Sequence, residues 1–294
     1  MKKDRSANKA NVVLSPGRIA WKKLLHRPLA LAGAVVLILM VIAVIFAPQL
    51  ATHGRDDIDM FATEQAPGKG HLLGTDEIGR DVFTRLLYGG QVSLGVGFAA
   101  VILQVLIGVT LGAIAGYFGG WVDACIMRLI DIVMCFPFYV IAISMAALLG
   151  PSAWNVVLII GVLSWPGVAR IVRGQMLSMR TREFIEASRC LGLTSREIIV
   201  KHLLPNTLSP IIVYATLGMA NAILTEAGLS FLGMGVNPPQ PSWGNMLTNA
   251  QSMRVLTKQW WRWLPPGLCI FLTVLSINFL GDGLRDALDP RTKQ

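Results

Sequence analysis

Six apolar runs dominate the chain, and each is close to the length that a helix needs to cross a hydrocarbon layer about 30 Å thick. Residues 29–47 form the first run, which contains no charged residue and no proline. Five glycines lie in the second run, residues 92–118, and such small residues let helices approach closely inside a membrane bundle. The other runs are residues 132–149, 153–172, 208–231 and 266–281. With 15% charged residues and a mean hydropathy of +0.57, the sequence predicts an all-α integral membrane protein with six transmembrane helices.

The segment before the first run sets the predicted orientation. It carries eight lysines and arginines against one acid, and an excess of positive charge marks the cytoplasmic side. The first run is long and lacks a small-residue cleavage site at its end, so we predict a retained helix rather than a signal peptide. Six spans return the C-terminus to the cytoplasm and place residues 170–201, with seven lysines and arginines, there as well. The net charge of +9 is then a topology signal and requires no nucleic-acid partner.

These assignments divide the chain into consecutive segments. The predicted segments are a cytoplasmic N-terminal segment 1–28, a first transmembrane helix 29–47, an extracytoplasmic loop 48–91, a transmembrane domain 92–286 that includes a cytoplasmic loop 173–207, and a cytoplasmic tail 287–294. In the extracytoplasmic loop, apolar residues recur every four positions over residues 75–87, which predicts a helix lying on the outer face. We interpret the three acids there as helix caps and partners of two arginines, rather than as metal ligands: Asp76, Glu77, Asp81, Arg80 and Arg85.

A charged stretch, residues 181–206, separates the fourth and fifth apolar runs. Thr181 is a candidate N-cap for a first short helix, which Gly192 can end by adopting a left-handed conformation. Thr194 opens a capping-box pattern for a second helix, which we expect to end just before Pro205. Helices this short are marginal in water, so the pair must dock on something.

The first of these helices carries Phe184, Ala187, Ser188 and Leu191 on one predicted apolar face. That face can dock on the membrane helices of the same chain or on another protein. A solvated basic loop is an alternative, since charged loops are common. A helix-turn-helix that reads DNA also has this outline, but its place between membrane spans argues against that function.

The spacing of residues in the charged stretch resembles the EAA signature of ABC importer permeases. Glu186, Ala187 and Ser188 are followed by Gly192 after three residues, and after nine more by a segment ending in Leu204 and Pro205. Ser188 and His202 depart from the usual alanine and isoleucine. The resemblance implies that this stretch couples the permease to a cytoplasmic ATPase, through these residues: Glu186, Ala187, Ser188, Gly192, Leu204 and Pro205.

Four further segments are similar to the second permease of dipeptide, oligopeptide and nickel importers. They include HLLGTDEIGRDVFTRLLYGG, from residue 71, and NFLGDGLRDALDP, from residue 278. The resemblance implies the type I ABC importer permease fold, the bacterial cytoplasmic membrane, and an ATP-driven import of short peptides. It also implies a related second permease, two ATPase subunits that hold the ATP and magnesium, and an extracytoplasmic solute-binding protein, with no cofactor bound by this chain. Nickel or glutathione as the solute, an ion-driven secondary carrier and a membrane-anchored regulator are the alternatives.

Two acids in or near apolar runs are candidates for the translocation path, because ionisable groups in a membrane are costly and mark function. Asp131 has Arg128 three residues before it, so we expect that pair to be structural. Glu226 has no charged residue near it in sequence and is the stronger candidate.

Motifs for catalysis and metal binding are absent from the sequence. No phosphate-binding loop occurs, so the nucleotide site is expected on other subunits. The four histidines and four cysteines show no metal-ligand spacing, and we expect no catalytic or metal site.

Overall fold

A computed structural model describes residues 23–288 of the chain, and in that part every regular element is helical. The helices are α1 (Pro28–Ile45), α2 (Ala47–Leu50), α3 (Val82–Phe118), α4 (Gly120–Cys135), α5 (Phe138–Leu149), α6 (Ala153–Met179), α7 (Glu183–Cys190), α8 (Ser195–Glu197), α9 (Leu204–Phe231), α10 (Trp243–Leu247), α11 (Met253–Lys258) and α12 (Trp260–Leu288). A π-helical segment, Ile198–Leu203, joins α8 to α9, and a 3-10 helix, Thr248–Gln251, follows α10. Most of the segments predicted for residues 1–28 and 287–294 lie outside the described residues.

Five helices within the described residues are long and apolar enough to cross a membrane, and there are six spans if the bent pair α4 and α5 counts as one. The all-α prediction is confirmed. The pair bends by 84° at Phe136 and Pro137. Phe136 has extended backbone because proline disfavours helical backbone at the residue before it. The break therefore falls inside the run 132–149 that was predicted as one span.

The bundle is centred on α3, which packs along α6. Gly112 and Gly116 lie where a Cβ atom would come within 2.5 Å of the Ala169 carbonyl oxygen and 2.8 Å of the Arg173 carbonyl oxygen. Hydrophobic burial gives little driving force between helices in lipid, so this close backbone contact supplies the packing. The prediction that the glycine-rich run is an interior helix is confirmed.

The helix predicted to lie on the outer face over residues 75–87 is wrong. Residues 75–81 form turns, and α3 begins at Val82 and continues without interruption through the membrane-length run. Asp81 caps α3 by accepting a hydrogen bond from the Thr84 backbone N–H at 2.8 Å. Asp76 pairs with Arg80 at 2.7 Å, so the interpretation of these acids as caps and arginine partners is confirmed.

The two ends of the bundle differ in what they carry. The loop end holds residues 51–81 and 232–259, which connect α2 to α3 and α9 to α12. The opposite end, which we call the coupling end, holds α7, α8 and the π-helical segment against the last turns of α3 and α6.

Candidate functional site

The coupling end is built on a buried apolar cluster. Ile185 of α7 and Ile198 of the π-helical segment are 0% and 1% exposed, and they pack with Met176 near the end of α6. The guanidinium of Arg189 lies 5.6 Å from the centroid of the Tyr117 ring at the end of α3. The charged stretch is therefore held on the chain's own helices, and the alternative of a merely solvated loop does not fit this packing.

The face of α7 that docks differs from the predicted one. Ile185 and Ser188 are buried, while Phe184 is 43% and Leu191 80% exposed. Ser188 occupies an alanine position of the signature, and its hydroxyl donates to the Phe184 carbonyl at 2.7 Å, so its polarity is satisfied within the helix. The remaining signature residues of α7, Glu186 and Ala187, are exposed.

The capping predictions have mixed outcomes. Gly192 has φ of +78° and ends the first helical segment as expected. Thr194 and Glu197 form the complete capping box. Thr181 is not the cap of α7, because Arg182 occupies that position without a side-chain bond.

The helix break expected before Pro205 is wrong. The π-helical segment runs directly into α9, and Leu204 and Pro205 form the first turn of that helix. Pro205 lies at the junction where the π-helical segment gives way to the α-helix, so the hydrogen-bond register changes at the residue that lacks an N–H. The second short helix and the fifth span are thus one continuous rod, and a force applied to α8 acts directly on α9.

A cavity of about 670 Å³ opens between the helices, and most of its lining is apolar. Its walls come from α3, α6, α9 and the break between α4 and α5, and its neutral polar residues are Gln104, Tyr139, Ser164, Tyr214, Asn221 and Thr225. Interrupted helix within a membrane bundle is tolerated where it is buried in protein or lines a cavity, and the break at Phe136 lines this one. The volume lies within the range typical of small-molecule sites.

The sequence indicates one wall of this cavity through neutral polar residues rather than charged ones. Tyr214, Asn221 and Thr225 follow one another at spacings of seven and four residues in an apolar run. This spacing places all three on one helix face, and all three line the cavity.

Glu226 is not among the residues that line the cavity. Its side chain is fully buried within the chain. Its carboxylate accepts hydrogen bonds from the hydroxyls of Ser93 on α3 and Ser230 on α9, both at 2.8 Å. Ser93 in turn accepts from the Trp243 backbone N–H at 3.1 Å. Glu226 therefore joins α3, α9 and α10, and the path-lining role predicted for it is not supported by this position.

Asp131 has a different partner from the one predicted. Its carboxylate accepts a hydrogen bond from the Arg170 guanidinium at 2.9 Å, and the two side chains are 51% and 47% exposed. Arg170 lies on α6, so the pair connects two helices, whereas Arg128 would have been a partner within α4. The pairing with Arg128 is wrong, and the structural interpretation of Asp131 as an ion-pair partner stands.

Membrane-length helices around a cavity lined by uncharged residues, with a helical loop packed at one end, are typical of a membrane transport subunit. The family model described as binding-protein-dependent transport system inner membrane component matches residues 108–294. The model of the N-terminal TM domain of oligopeptide transport permease C matches residues 15–67. The chain belongs to the family of binding-protein-dependent transport system inner membrane components.

Relatives named for peptide transport match over most of this chain. The dipeptide transport system permease protein DppC of Alkalihalophilus pseudofirmus is 44% identical over 95% of this chain and 91% of its own length. DppC of Bacillus subtilis is 40% identical over 96% and 88%. The glutathione transport system permease protein GsiD of Pectobacterium atrosepticum is 39% identical over 96% and 93%.

The fold is also that of a solved importer. A chain of the MetNI methionine ABC transporter, in an inward facing conformation, matches with a TM-score of 0.56 and 20% identity over 70% of this chain and 96% of that chain. The predicted ABC importer permease fold is therefore confirmed.

Proposed function

We propose that this chain is one of two related permeases of an ATP-driven importer that carries short peptides across the bacterial cytoplasmic membrane. A solute-binding protein delivers the peptide at the loop end, and two cytoplasmic ATPase subunits act at the coupling end. The peptide assignment is supported by the DppC relatives and by a mostly apolar cavity whose polar groups are neutral and can form hydrogen bonds. Such groups can satisfy peptide amides without selecting a particular side chain.

The proposal rests on the way α7 is packed, with one side buried on the chain and the other exposed. Its inner side is fixed by Ile185, while Glu186, Ala187 and Leu191 face away from the chain on a rigid support. An exposed apolar side chain beside a carboxylate suits a groove on a partner protein. Because α8 continues into α9, a shift of this surface is transmitted to the helix that carries Tyr214, Asn221 and Thr225. A movement of the ATPases can therefore move α9, which forms one wall of the cavity.

The proposal is tested by Glu186→Lys in the transporter purified from its own host. We expect the ATPase subunits to be lost from the purified complex while the second permease is retained. The matched control is Lys69→Glu, a charge reversal at an exposed residue of the loop end, which should leave the ATPases bound. Retention of the ATPases in Glu186→Lys at wild-type stoichiometry would contradict the coupling role.

The solute is tested separately by uptake into cells that lack their other peptide importers. We expect a labelled dipeptide to accumulate in an ATP-dependent way. The GsiD relative favours glutathione as the second candidate, and Ni²⁺ completes the comparison. Uptake of glutathione or Ni²⁺ with none of dipeptide would reassign the solute and leave the importer mechanism in place.

The ion-driven alternative has little support in the described residues. None of the residues that line the cavity is an Asp, Glu, Lys, Arg or His, and Glu226 is enclosed by serines. A proton relay requires a titratable group in contact with the path. Uptake that stops when the proton gradient is collapsed at constant ATP would support the secondary carrier instead.

A further inference from the structure

Two histidines and an aspartate converge at the loop end, away from the coupling end and the cavity. One imidazole nitrogen of His53, one of His71 and a carboxylate oxygen of Asp81 all lie within 4.8 Å of one another. The Nδ1 atoms of His71 and His53 lie 2.9 and 3.7 Å from the same oxygen, Oδ1 of Asp81. The two rings stack with centroids 4.5 Å apart and planes at 23°.

The backbone around the cluster fixes these positions. An isolated antiparallel bridge joins Thr75 to Asp81, and the Val82 N–H donates to the Gly74 carbonyl at 3.0 Å. The Gly74 N–H in turn donates to the His71 carbonyl at 3.1 Å, which folds the loop back onto the start of α3. On the other side, the His53 N–H donates to the Thr84 hydroxyl oxygen at 3.4 Å. Both histidines are thus held against the first turn of α3.

Burial differs across the cluster in a way that suits a bound ion. The Asp81 side chain is 0% exposed, His71 13% and His53 35%, so the group is closed on the protein side and open at His53. The second carboxylate oxygen of Asp81 is occupied by the Thr84 N–H, which fixes its orientation and leaves Oδ1 for the histidines. The hydrogen bond from Thr84 therefore orients the Asp81 carboxylate for metal binding, as hydrogen bonds to metal ligands commonly do.

We propose that His53, His71 and Asp81 bind a divalent transition-metal ion of the Zn²⁺ class, with a fourth position open to water. Zinc takes imidazole nitrogen at about 2.0–2.1 Å and carboxylate oxygen at about 2.0–2.2 Å. Tetrahedral bonds of that length place donor atoms roughly 3.3 Å apart, which is between the two nitrogen–oxygen distances present here. Two imidazoles favour zinc, nickel or copper over calcium and magnesium, which prefer all-oxygen sites.

The bound ion would connect the loop after α2, the loop at His71 and the first turn of α3. These three segments belong to the face that meets the solute-binding protein in the proposed importer, but the metal site does not depend on that function. No spacing in the sequence indicated it, because the ligands come from three separate turns and meet only in the fold.

The competing interpretation is a hydrogen bond between His71 and Asp81 without metal. Asparagine separates the two, because its amide nitrogen occupies nearly the position of Nδ1 and still donates to Asp81, but it offers no ring lone pair. His71→Asn therefore keeps the hydrogen bond to Asp81 and removes one ligand. His53→Asn removes the other nitrogen ligand, whose Nδ1 lies 3.0 Å from the Thr52 hydroxyl and 3.7 Å from Asp81. His202→Ala is the matched control, since it removes a histidine at the coupling end.

The experiment uses the full chain, purified in detergent after treatment with a chelator and titrated with Zn²⁺ against a competing chelating dye. The wild type and His202→Ala should bind one Zn²⁺ per chain at this site. Each asparagine variant should bind it at least tenfold more weakly, and added Zn²⁺ should raise the unfolding temperature of the wild type and of His202→Ala but not of the asparagine variants.

Two results would overturn the proposal. One is wild-type Zn²⁺ binding no greater than that of the double variant with both asparagines, and the other is unchanged affinity in the single variants. Should His71→Asn fail to fold, His53→Asn carries the test, because His53 is the more exposed ligand.

Discussion

Replacing Glu226 with alanine should destabilise the bundle strongly, and replacing it with glutamine should not. The carboxylate accepts hydrogen bonds from Ser93 and Ser230, and all three side chains are essentially buried. Alanine leaves two buried hydroxyls without an acceptor, at about 1–3 kcal/mol for each unsatisfied group. The emptied volume adds a cavity penalty. The loss in free energy of unfolding should therefore reach about 3–5 kcal/mol.

Glutamine retains a carbonyl acceptor of the same shape, and its amide can donate to a serine oxygen. Its cost should stay near 1 kcal/mol, which is a typical value for one neutral hydrogen bond. The control is Thr225→Ala, one residue away, whose hydroxyl only donates to the Asn221 carbonyl on its own helix. That change should fall within about 0.5 kcal/mol.

These three variants are compared by reversible unfolding in mixed detergent micelles, with the folded fraction followed by circular dichroism. If the loss in free energy of unfolding for Glu226→Ala exceeds that for Thr225→Ala by less than about 1 kcal/mol, the hydrogen bonds to the serines do not stabilise the bundle. If glutamine is as costly as alanine, retaining a hydrogen-bond acceptor does not preserve stability, and the explanation through the serine hydrogen bonds is refuted.

Three further changes test other parts of the structure. Gly192→Val should lower the free energy of unfolding by about 1–3 kcal/mol, because φ at residue 192 is positive, and it should reduce co-purification of the ATPases. The control Gly174→Ala, where a Cβ on α6 meets no other atom, should leave stability and co-purification unchanged. Gly112→Ala should lower stability in the same micelle assay by about 1–3 kcal/mol through overpacking against Ala169, and a neutral result would contradict the close packing of α3 on α6. Asn221→Leu should raise the KM for solute uptake while the ATPases remain bound, and an unchanged KM would remove the cavity from the path.

Features that involve residues close together in the sequence were predicted, and features that depend on residues far apart in the sequence were not. The turn at Gly192 and the capping box at Thr194 were predictable because each involves groups within a few residues. The burial of Ile185 instead of Leu191 was not, because Leu191 belongs to the predicted apolar face and Ile185 does not, and Ile185 is buried by contact with another helix at Met176.

Long-range partners were beyond prediction for the same reason. Asp131 selects Arg170, on another helix, over the arginine one turn away. Pro205 was expected to end a helix, but the π-helical segment before it changes the register and lets α9 begin there. The cavity, by contrast, was predictable from the sequence, because the neutral polar residues of α9 that line it recur at helical spacing.

The position of α1 has a consequence for synthesis. This first helix packs mainly against α12, the last, through the contact of Gly33 with the Ser276 backbone and the ion pair of Arg27 with Asp286. A ribosome makes α12 only after every other helix has left it, so α1 must remain in the lipid without its principal neighbour for nearly the whole of translation. Completion of the bundle is thereby deferred to the end of the chain, and a product truncated before α12 leaves the α12-facing side of its first helix without its partner.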